Sequence, residues 1–179
     1  MDLGIISMRY AKALLRFAED SSQEAQVYAE MQTLANSYLA IPALGQALLN
    51  PVSTVQEKQH LLTVAACGNA QPTDTLTRFL RVILGKGRAD VMQFVAQSYC
   101  TLYRQEKHII EAQLTLAAPA DDEVVAKLRS VIEAKTKGNI QFRTEVKPEI
   151  EGGFILQYGT YRLDASLRTQ LDKIRRSLA

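Results

Sequence analysis

The residues best suited to chemistry in this chain are two glycine-containing stretches, two histidines and two cysteines. Residues 85–88 read Gly-Lys-Gly-Arg, which pairs a glycine with a lysine as phosphate-binding loops do. A P-loop needs Gly-x-x-x-x-Gly-Lys-Ser/Thr between a strand and a helix, whereas this stretch joins two predicted helices and has no hydroxyl after its lysine. We therefore predict a helix-capping glycine followed by a turn.

The second glycine stretch, Gly152-Gly153, lacks the third glycine and the following helix of a dinucleotide site. It predicts backbone freedom at a tight entry into a strand. His60 lies in a predicted helix and His108 at a predicted domain junction, and no Ser, Cys or Asp constellation surrounds either one in the sequence. We expect both to be solvent-facing or core histidines, and no catalytic residue.

The two cysteines, Cys67 and Cys100, stand 33 positions apart, with no Cys-x-x-Cys pair. Together with two histidines they are too few to build a structural zinc site. Both fall in apolar helical stretches, where a free thiol behaves as a small hydrophobic side chain. We expect no metal site and no cofactor.

Composition places the chain among globular proteins, since 47% of its 179 residues are apolar and 22% are charged. The net charge of +2 comes from 21 basic and 19 acidic residues spread along the chain, so nucleic acid is not an expected partner. No run of 18 apolar residues is present, and residues 1–7 do not resemble a leader. Membrane association is therefore expected through a partner, without direct insertion.

Six successive helices fit the first ~106 residues, because apolar residues recur there at spacings of three and four. We expect Ser7 to cap the first helix. Capping boxes at Ser21/Glu24 and Ser53/Gln56 are expected to open the second and fourth helices. The remaining boundaries are predicted at Pro42, Asn50, Gly68, Asp74, Leu84, Asp90 and Glu106.

The first helix is apolar on two sides. One face carries Tyr10, Ala13, Leu14 and Phe17, and a second strip beside it carries Ala11, Leu15 and Ala18. A groove for a partner helix requires apolar positions beyond those that fill a bundle core. This helix is therefore a candidate docking element.

On the sixth helix the spacing predicts inward positions for Val91, Phe94, Val95, Tyr99, Leu102 and Tyr103.

Near Lys107 the apolar period changes from 3.6 to 2, as a half-buried strand requires. A strand over 110–116, a helix from Asp121, a strand over 140–146 and two short strands around 158–160 follow. The last helix opens at Asp164 or Ser166 and carries Leu167, Leu171, Ile174 and Leu178. The predicted fold is mainly α, with a six-helix bundle over 1–106 and a small α+β domain over 107–179.

Three stretches carry a resemblance to a known family. They are Arg9-Tyr10-Ala11-Lys12-Ala13-Leu14, Gly87-Arg88 and a C-terminal signature that runs from Val146 to Leu156 and from Arg162 to Leu167. In order and spacing they resemble the delta subunit (oligomycin-sensitivity-conferring type) of bacterial F-type rotary ATP synthases. Within the signature, the matching positions are Gly152, Gly153, Asp164 and Ser166.

This resemblance implies a non-catalytic stator subunit without a cofactor, peripheral to the cytoplasmic face of the bacterial inner membrane. It implies that the six-helix bundle holds the N-terminal helix of an alpha subunit, and that the α+β domain joins the C-terminus of the b-subunit stalk. Helices one and five are expected to line the alpha groove, with some positions also serving the core. The expected lining is Tyr10, Ala11, Leu14, Leu15, Ala18, Leu76, Phe79, Leu80 and Ile83.

Two other functions stay open from the residues alone. A helical adaptor unrelated to ATP synthase would use the same groove-binding physics. A small enzyme would need a reactive constellation that the sequence does not offer. Arg168, Lys173, Arg175 and Arg176 make the last helix basic, either as a solvated face that offsets the helix dipole or as a contact for acidic stalk or headpiece residues.

Overall fold

The computed structural model describes residues 3–119, 125–127, 129–130, 133 and 139–177. The chain divides into two compact units, Met1–Gln105 and Glu106–Ala179. The first unit is helical, and the second contains a sheet with helical segments. The predicted fold class, mainly α with a helical bundle followed by an α+β domain, is confirmed.

The first unit is a bundle of six α-helices. A single turn of 3-10 helix, Ala89–Val91, leads into the last of them. The helices are α1 (Leu3–Asp20), α2 (Glu24–Ala40), α3 (Ala43–Leu49), α4 (Val55–Cys67), α5 (Asp74–Gly85) and α6 (Met92–Glu106).

The capping box of α4 lies one residue later than predicted. The Thr54 hydroxyl accepts from the backbone N–H of Glu57 at 3.2 Å, and the Glu57 carboxylate accepts from the backbone N–H of Thr54 at 2.8 Å. The prediction of Ser53 and Gln56 for these roles was wrong. Neighbouring Ser, Thr, Gln and Glu residues offered two capping boxes in successive registers, and the backbone conformation selected the second one.

The predicted caps of α1 and α2 were also wrong. Helix α1 begins at Leu3, so Ser7 lies inside it, buried, with its hydroxyl donating to the Gly4 carbonyl at 3.0 Å. Gln23 precedes α2 without capping it. The amide oxygen of Gln23 instead accepts from the Thr75 hydroxyl at 2.7 Å, which ties the start of α2 to α5.

Large side chains from all six helices fill the bundle core. The rings of Tyr28 and Tyr103 stack with their centroids 4.4 Å apart, and the Tyr99 hydroxyl donates to the Glu24 carbonyl at 3.2 Å. Phe94, predicted to face inward, is instead exposed. The buried side of α6 is formed by other residues: Met92, Val95, Ala96, Tyr99, Cys100 and Tyr103. Fully buried side chains include Leu14, Met31, Leu34, Leu48, Leu62, Leu76, Leu80, Ile83, Met92 and Tyr99.

The Glu30 carboxylate links three helices of this unit. It accepts from the Thr73 backbone N–H at 2.7 Å and from the Thr73 hydroxyl at 2.8 Å, and the Cys67 thiol donates to it at 3.7 Å. Thr73 in turn caps α5 by accepting from the Leu76 N–H at 3.1 Å. Burial, the charge of Glu30 and the thiol hydrogen bond raise the pKa of Cys67 to about 11. Cys67 and Cys100 are not joined in a disulfide.

The Gly-Lys-Gly-Arg stretch ends α5 as predicted. Gly87 adopts a positive φ of 66°, and its N–H donates to the Leu84 carbonyl at 2.9 Å. The Arg88 N–H donates to the Ile83 carbonyl at 3.0 Å. Such bonds satisfy helix-terminal carbonyls at a glycine C-cap, which explains this stretch without a phosphate.

The second unit is built on a four-stranded sheet of β1 (Ile109–Leu116), β2 (Asn139–Val146), β3 (Phe154–Tyr158) and β4 (Tyr161–Asp164), in the order β2-β1-β3-β4. Strand β1 pairs parallel with β2 and antiparallel with β3, and β3 pairs antiparallel with β4. A 3-10 turn, Pro148–Ile150, precedes β3, and a final helix follows β4. This final helix is α7 (Leu167–Ser177).

The segment between β1 and β2 is described in part. Residues 125–127, 129–130 and 133 are helical, within the span of the helix predicted to begin at Asp121. Its predicted first-turn acids, Asp122 and Glu123, and its predicted apolar and terminal positions Val124, Leu128, Ile132 and Gly138 lie outside the described residues, as does Leu178.

One face of the sheet forms a small core. The side chains of Ala112, Leu114 and Leu116 alternate onto it from β1, as the period of two predicted. Ile140 and Leu156 complete the buried cluster from the neighbouring strands, and Val125 packs against it.

Candidate docking surfaces

The two apolar strips of α1 have opposite roles. Ala11, Leu15 and Ala18, expected beyond the core, are at most 5% exposed and lie inside the bundle with Leu14. The other strip is accessible except at Leu14: Tyr10 is half-buried, Ala13 is exposed and Phe17 is 36% exposed. The periodicity counted two apolar strips correctly, but which strip faces inward depends on the neighbouring helices.

Helix α5 shows the same division. Leu76, Phe79, Leu80 and Ile83 are at most 8% exposed and belong to the core, whereas Val82 is 55% exposed. Of the nine residues predicted to line a groove, Tyr10 is therefore the most accessible, and the other eight are buried in the isolated chain.

An aromatic contact places the accessible strip of α1 beside α5. The rings of Tyr10 and Phe79 meet edge to face, with centroids 6.5 Å apart and planes at 73°. Val82 follows Phe79 by three residues and so lies on the same side of α5. We define the α1–α5 surface as Leu3, Ile6, Tyr10, Ala13 and Phe17 of α1 with Val82 of α5.

Sequence reasoning left Phe17 and Val82 out of the predicted lining. The available signal was their spacing: Tyr10, Ala13 and Phe17 follow one another by three and four, and Val82 follows Phe79 by three.

Cationic side chains border this apolar surface, since Arg9 and Arg16 of α1 and Arg78 of α5 are exposed. The surface thus combines an apolar centre with a basic rim.

The last helix carries a second accessible apolar surface. Leu167, Leu171 and Ile174 follow one another by four and three, and they are 48%, 55% and 55% exposed. We call these three residues the α7 stripe. Arg168 and Arg175 are exposed one position after Leu167 and Ile174, so cations border one side of the stripe.

A hydrogen-bond network holds the start of α7. The Asp164 carboxylate accepts from the Ser166 hydroxyl at 2.6 Å, the Ser166 N–H at 3.1 Å and the Thr169 hydroxyl at 3.1 Å. The Ser166 hydroxyl accepts from the Thr169 N–H at 3.3 Å and so caps the helix. Hydrogen bonds from the Ser166 side chain and backbone lower the pKa of Asp164, and the Thr169 hydroxyl and Arg162 add to this effect.

The two signature glycines allow the chain segment before α7 to pass close by. A Cβ on Gly153, whose φ is +73°, would lie 2.1 Å from the Ala165 carbonyl oxygen. A Cβ on Gly152 would lie 2.5 Å from a methyl group of Leu167. The Leu167 N–H donates to the Gly152 carbonyl at 3.0 Å, and the Ala165 N–H donates to the Phe154 carbonyl at 2.9 Å. The sequence predicted backbone freedom here, and the structure adds a close backbone contact.

The described residues offer little for reaction chemistry. Among them, no three His, Cys, Asp or Glu side chains lie close enough to hold a metal ion. His60 and His108 are both exposed. Within the same part of the chain, no helix combines the length and the apolar character needed to cross a bilayer.

Accessible apolar helix faces on two compact units are typical of a docking protein that joins other chains. The comparisons with known proteins agree with this class. The family model for the ATP synthase delta (OSCP) subunit matches residues 6–178. The chain therefore belongs to the ATP synthase delta (OSCP) subunit family, as its resemblance implied.

Two relatives support this assignment over nearly the whole chain, and a solved structure shares the fold. An ATP synthase subunit delta from Phocaeicola vulgatus is 42% identical over 175 residues, covering 98% of this chain and 94% of the relative. One from Parabacteroides distasonis is 42% identical over 178 residues, covering 99% and 98%. A chain in the cryo-EM structure of the Toxoplasma gondii mitochondrial ATP synthase hexamer shares the fold, with a TM-score of 0.61, 20% identity and 96% of each chain covered.

Family membership makes the chain a subunit of an ATP synthase, with a structural stator role in the peripheral stalk and no catalytic role of its own. Its chemistry is then that of binding. The two accessible surfaces are where that binding can be tested.

Proposed function

We propose that the first unit binds the N-terminal helix of an alpha subunit through the α1–α5 surface, and that the second unit joins the C-terminal end of a b subunit through the α7 stripe. In this role the chain holds the catalytic headpiece against rotor torque at the cytoplasmic face of the bacterial plasma membrane. The observation that carries the proposal is the pair of apolar helix faces left accessible on the two units.

On the first unit, Phe17 and Val82 extend from helices that are already joined by the Tyr10–Phe79 contact. A partner helix laid on this surface would cover apolar area that water now contacts. Removing apolar area from water contributes about 25 cal/mol per Å². Of the nine residues first expected to line the groove, Tyr10 would then contact the partner helix. The other eight are buried and would support the α1–α5 surface from the bundle core.

The charges around the α1–α5 surface specify the partner further. Arg9, Arg16 and Arg78 are exposed beside it and will meet the flanks of any helix that docks there. Complementary charges favour a correct partner and raise the association rate, whereas like charges exclude wrong partners. The fitting partner is therefore an amphipathic helix with acidic residues beside its apolar face.

On the second unit, the α7 stripe has the spacing of a helix that packs against another helix. Arg168 and Arg175 beside the stripe favour acidic residues on the stalk. This supports the sequence-based hypothesis that the basic residues of the last helix contact an acidic partner.

The α1–α5 surface is tested by Phe17→Asp and Val82→Asp, with Asn36→Asp as a matched control. Asn36 is exposed on α2, so its substitution adds the same charge away from the surface. A carboxylate placed in a dry interface must be desolvated or protonated, at a cost of several kcal/mol. We expect affinity for an alpha N-terminal peptide, measured by calorimetry on the full chain, to fall at least about 100-fold, which is roughly 2.7 kcal/mol.

The melting temperature of each variant provides the second measurement. Wild-type melting with lost affinity supports the proposed surface. Wild-type affinity in both surface variants would place the alpha helix elsewhere. An equal loss in the control would show that net charge, and not position, governs binding.

The α7 stripe is tested by Leu171→Asp, with affinity measured for the soluble segment of the b subunit from the same synthase. We expect binding to be lost while the alpha peptide still binds. Unchanged affinity for the b segment would remove the α7 stripe from the stalk contact.

A further inference from the structure

We propose that Gly152, Gly153, Asp164, Ser166 and Thr169, together called the α7 latch, are positioning residues for the stalk contact. They set the orientation of α7, and so the direction in which the α7 stripe faces, without touching the partner themselves. This inference rests on the proposed contact between the α7 stripe and the b subunit.

Within the latch, Thr169 holds the side of α7 that faces away from the stripe. Thr169 lies two residues after Leu167 and two before Leu171, which places it about 160° around the helix from both. Its hydroxyl donates to the Asp164 carboxylate at 3.1 Å. Because Asp164 belongs to β4, this bond joins the rear of the helix to the sheet.

The start of α7 is fixed in the other directions by backbone contacts. The Leu167 N–H donates to the Gly152 carbonyl at 3.0 Å, and the segment at Ala165 passes Gly153 at a distance that leaves no room for a Cβ. Ser166, which is 1% exposed, caps the helix with its hydroxyl. The contacts of its first turn thus define both the direction of the α7 axis and the rotation of α7 about that axis.

Beyond that turn, the side chains of residues 171–176 are all exposed. The direction of the exposed part of α7 therefore follows from how its first turn is held. If the latch is loosened, α7 samples other orientations, and the partner must order it again on binding. That ordering reduces affinity, since the apparent affinity scales with the fraction of molecules in the competent orientation.

The decisive variants are Thr169→Val, which replaces the hydroxyl by a methyl group of similar size, and Thr169→Ser, which keeps the hydroxyl. Gly153→Ala is the stronger perturbation, because the new methyl would lie 2.1 Å from the Ala165 carbonyl oxygen. Thr144→Ala, at an exposed hydroxyl on β2, serves as the control at the opposite edge of the sheet.

The measurements are the affinity of the full chain for the soluble b segment by calorimetry and hydrogen exchange of its backbone amides. We expect Thr169→Val to weaken binding about threefold to tenfold, the range that follows from losing one side-chain hydrogen bond. Amides of α7 should exchange faster while those of β1 and β3 keep their protection. Thr169→Ser should restore wild-type affinity and protection, which a role in packing by the methyl group alone would not do.

The outcomes separate this inference from the proposed function. If Leu171→Asp abolishes binding but Thr169→Val and Gly153→Ala bind as wild type, the latch does not position the stripe, and the stalk contact stands. If Leu171→Asp binds as wild type, the stripe is not the contact, and the latch proposal falls with it. If Gly153→Ala unfolds the second unit, the comparison of Thr169→Val with Thr169→Ser still tests the latch proposal, because only Thr169→Val removes the hydroxyl.

Discussion

Two residues of α1, only two positions apart, should respond in opposite ways to the same substitution. Leu15 is 5% exposed in the bundle core, whereas Phe17 is 36% exposed on the α1–α5 surface. We expect Leu15→Asp to destabilise the first unit strongly and Phe17→Asp to leave its stability nearly unchanged. The sequence placed Leu15 in the groove lining and so favoured a different result, in which Leu15→Asp would weaken headpiece binding more than folding.

The magnitude follows from the burial of Leu15. Truncation of a buried leucine to alanine costs about 2–5 kcal/mol. A carboxylate in the same place adds at least about 1–3 kcal/mol for an unsatisfied buried polar group. The total, roughly 3–8 kcal/mol, is comparable to the roughly 5–15 kcal/mol that stabilises a typical domain. At about 4–8 °C per kcal/mol for a domain of this size, the first unit should melt at least about 12 °C lower.

Thermal unfolding of the full chain, followed by circular dichroism at 222 nm, measures this difference. The helical signal comes largely from the first unit, so its loss reports on the bundle. Burial raises the pKa of an introduced carboxyl group above that of the unfolded chain. The deficit of Leu15→Asp should therefore shrink as the pH is lowered from 7 to 5, because the protonated form is cheaper to bury.

Two results would contradict this reasoning. Wild-type melting of Leu15→Asp would mean that Leu15 is not packed in the core. Equal destabilisation by Phe17→Asp would mean that Phe17 supports the bundle, and its use as a docking residue would lose its basis. Asn36→Asp controls for the added charge.

Three further predictions concern named contacts. Thr54→Ala removes one half of the α4 capping box and should destabilise the first unit by about 1 kcal/mol, measured by urea unfolding; no change would mean that the cap adds nothing. The pKa of Cys67 is raised to about 11, so little of its thiol is ionised at pH 8. It should react with iodoacetamide on the order of 100-fold more slowly than a free cysteine of pKa about 8.5. A rate equal to that of a free cysteine would contradict the Glu30 contact. Asp164 has a lowered folded pKa, so its carboxylate adds stability above the unfolded pKa of about 3.9, and this contribution is lost as the pH falls through the folded value. The stability difference between wild type and Asp164→Asn should therefore vanish in acid, and a difference that persists at low pH would show another cause.

The sequence by itself determined the order and kind of the elements. The change from a period of 3.6 to a period of 2 near Lys107 matches the change from α6 to β1, because each period follows from backbone geometry. Gly87 and Gly68 end their helices as predicted, since glycine readily adopts the positive φ found there. These features depend on interactions within a few residues.

Helix starts were less well determined. Ser7, Ser21 and Ser53 each looked like a cap, but α1 begins earlier, α2 starts without a side-chain cap and α4 uses Thr54. A cap contributes only about 1 kcal/mol, so packing of the whole helix can shift its start by one or several residues. Local capping signals therefore locate helices better than they locate their first residue.

Only the tertiary structure decided which apolar residues are accessible. The sequence marked two strips on α1, but the neighbouring helices buried Ala11, Leu15 and Ala18 and left Phe17 at the surface. The same holds for the signature glycines, because the contact that excludes a Cβ at Gly153 comes from Ala165, which lies in a different part of the fold. Burial and close approach depend on chain segments distant in sequence, and a local pattern carries no information about where those segments pack.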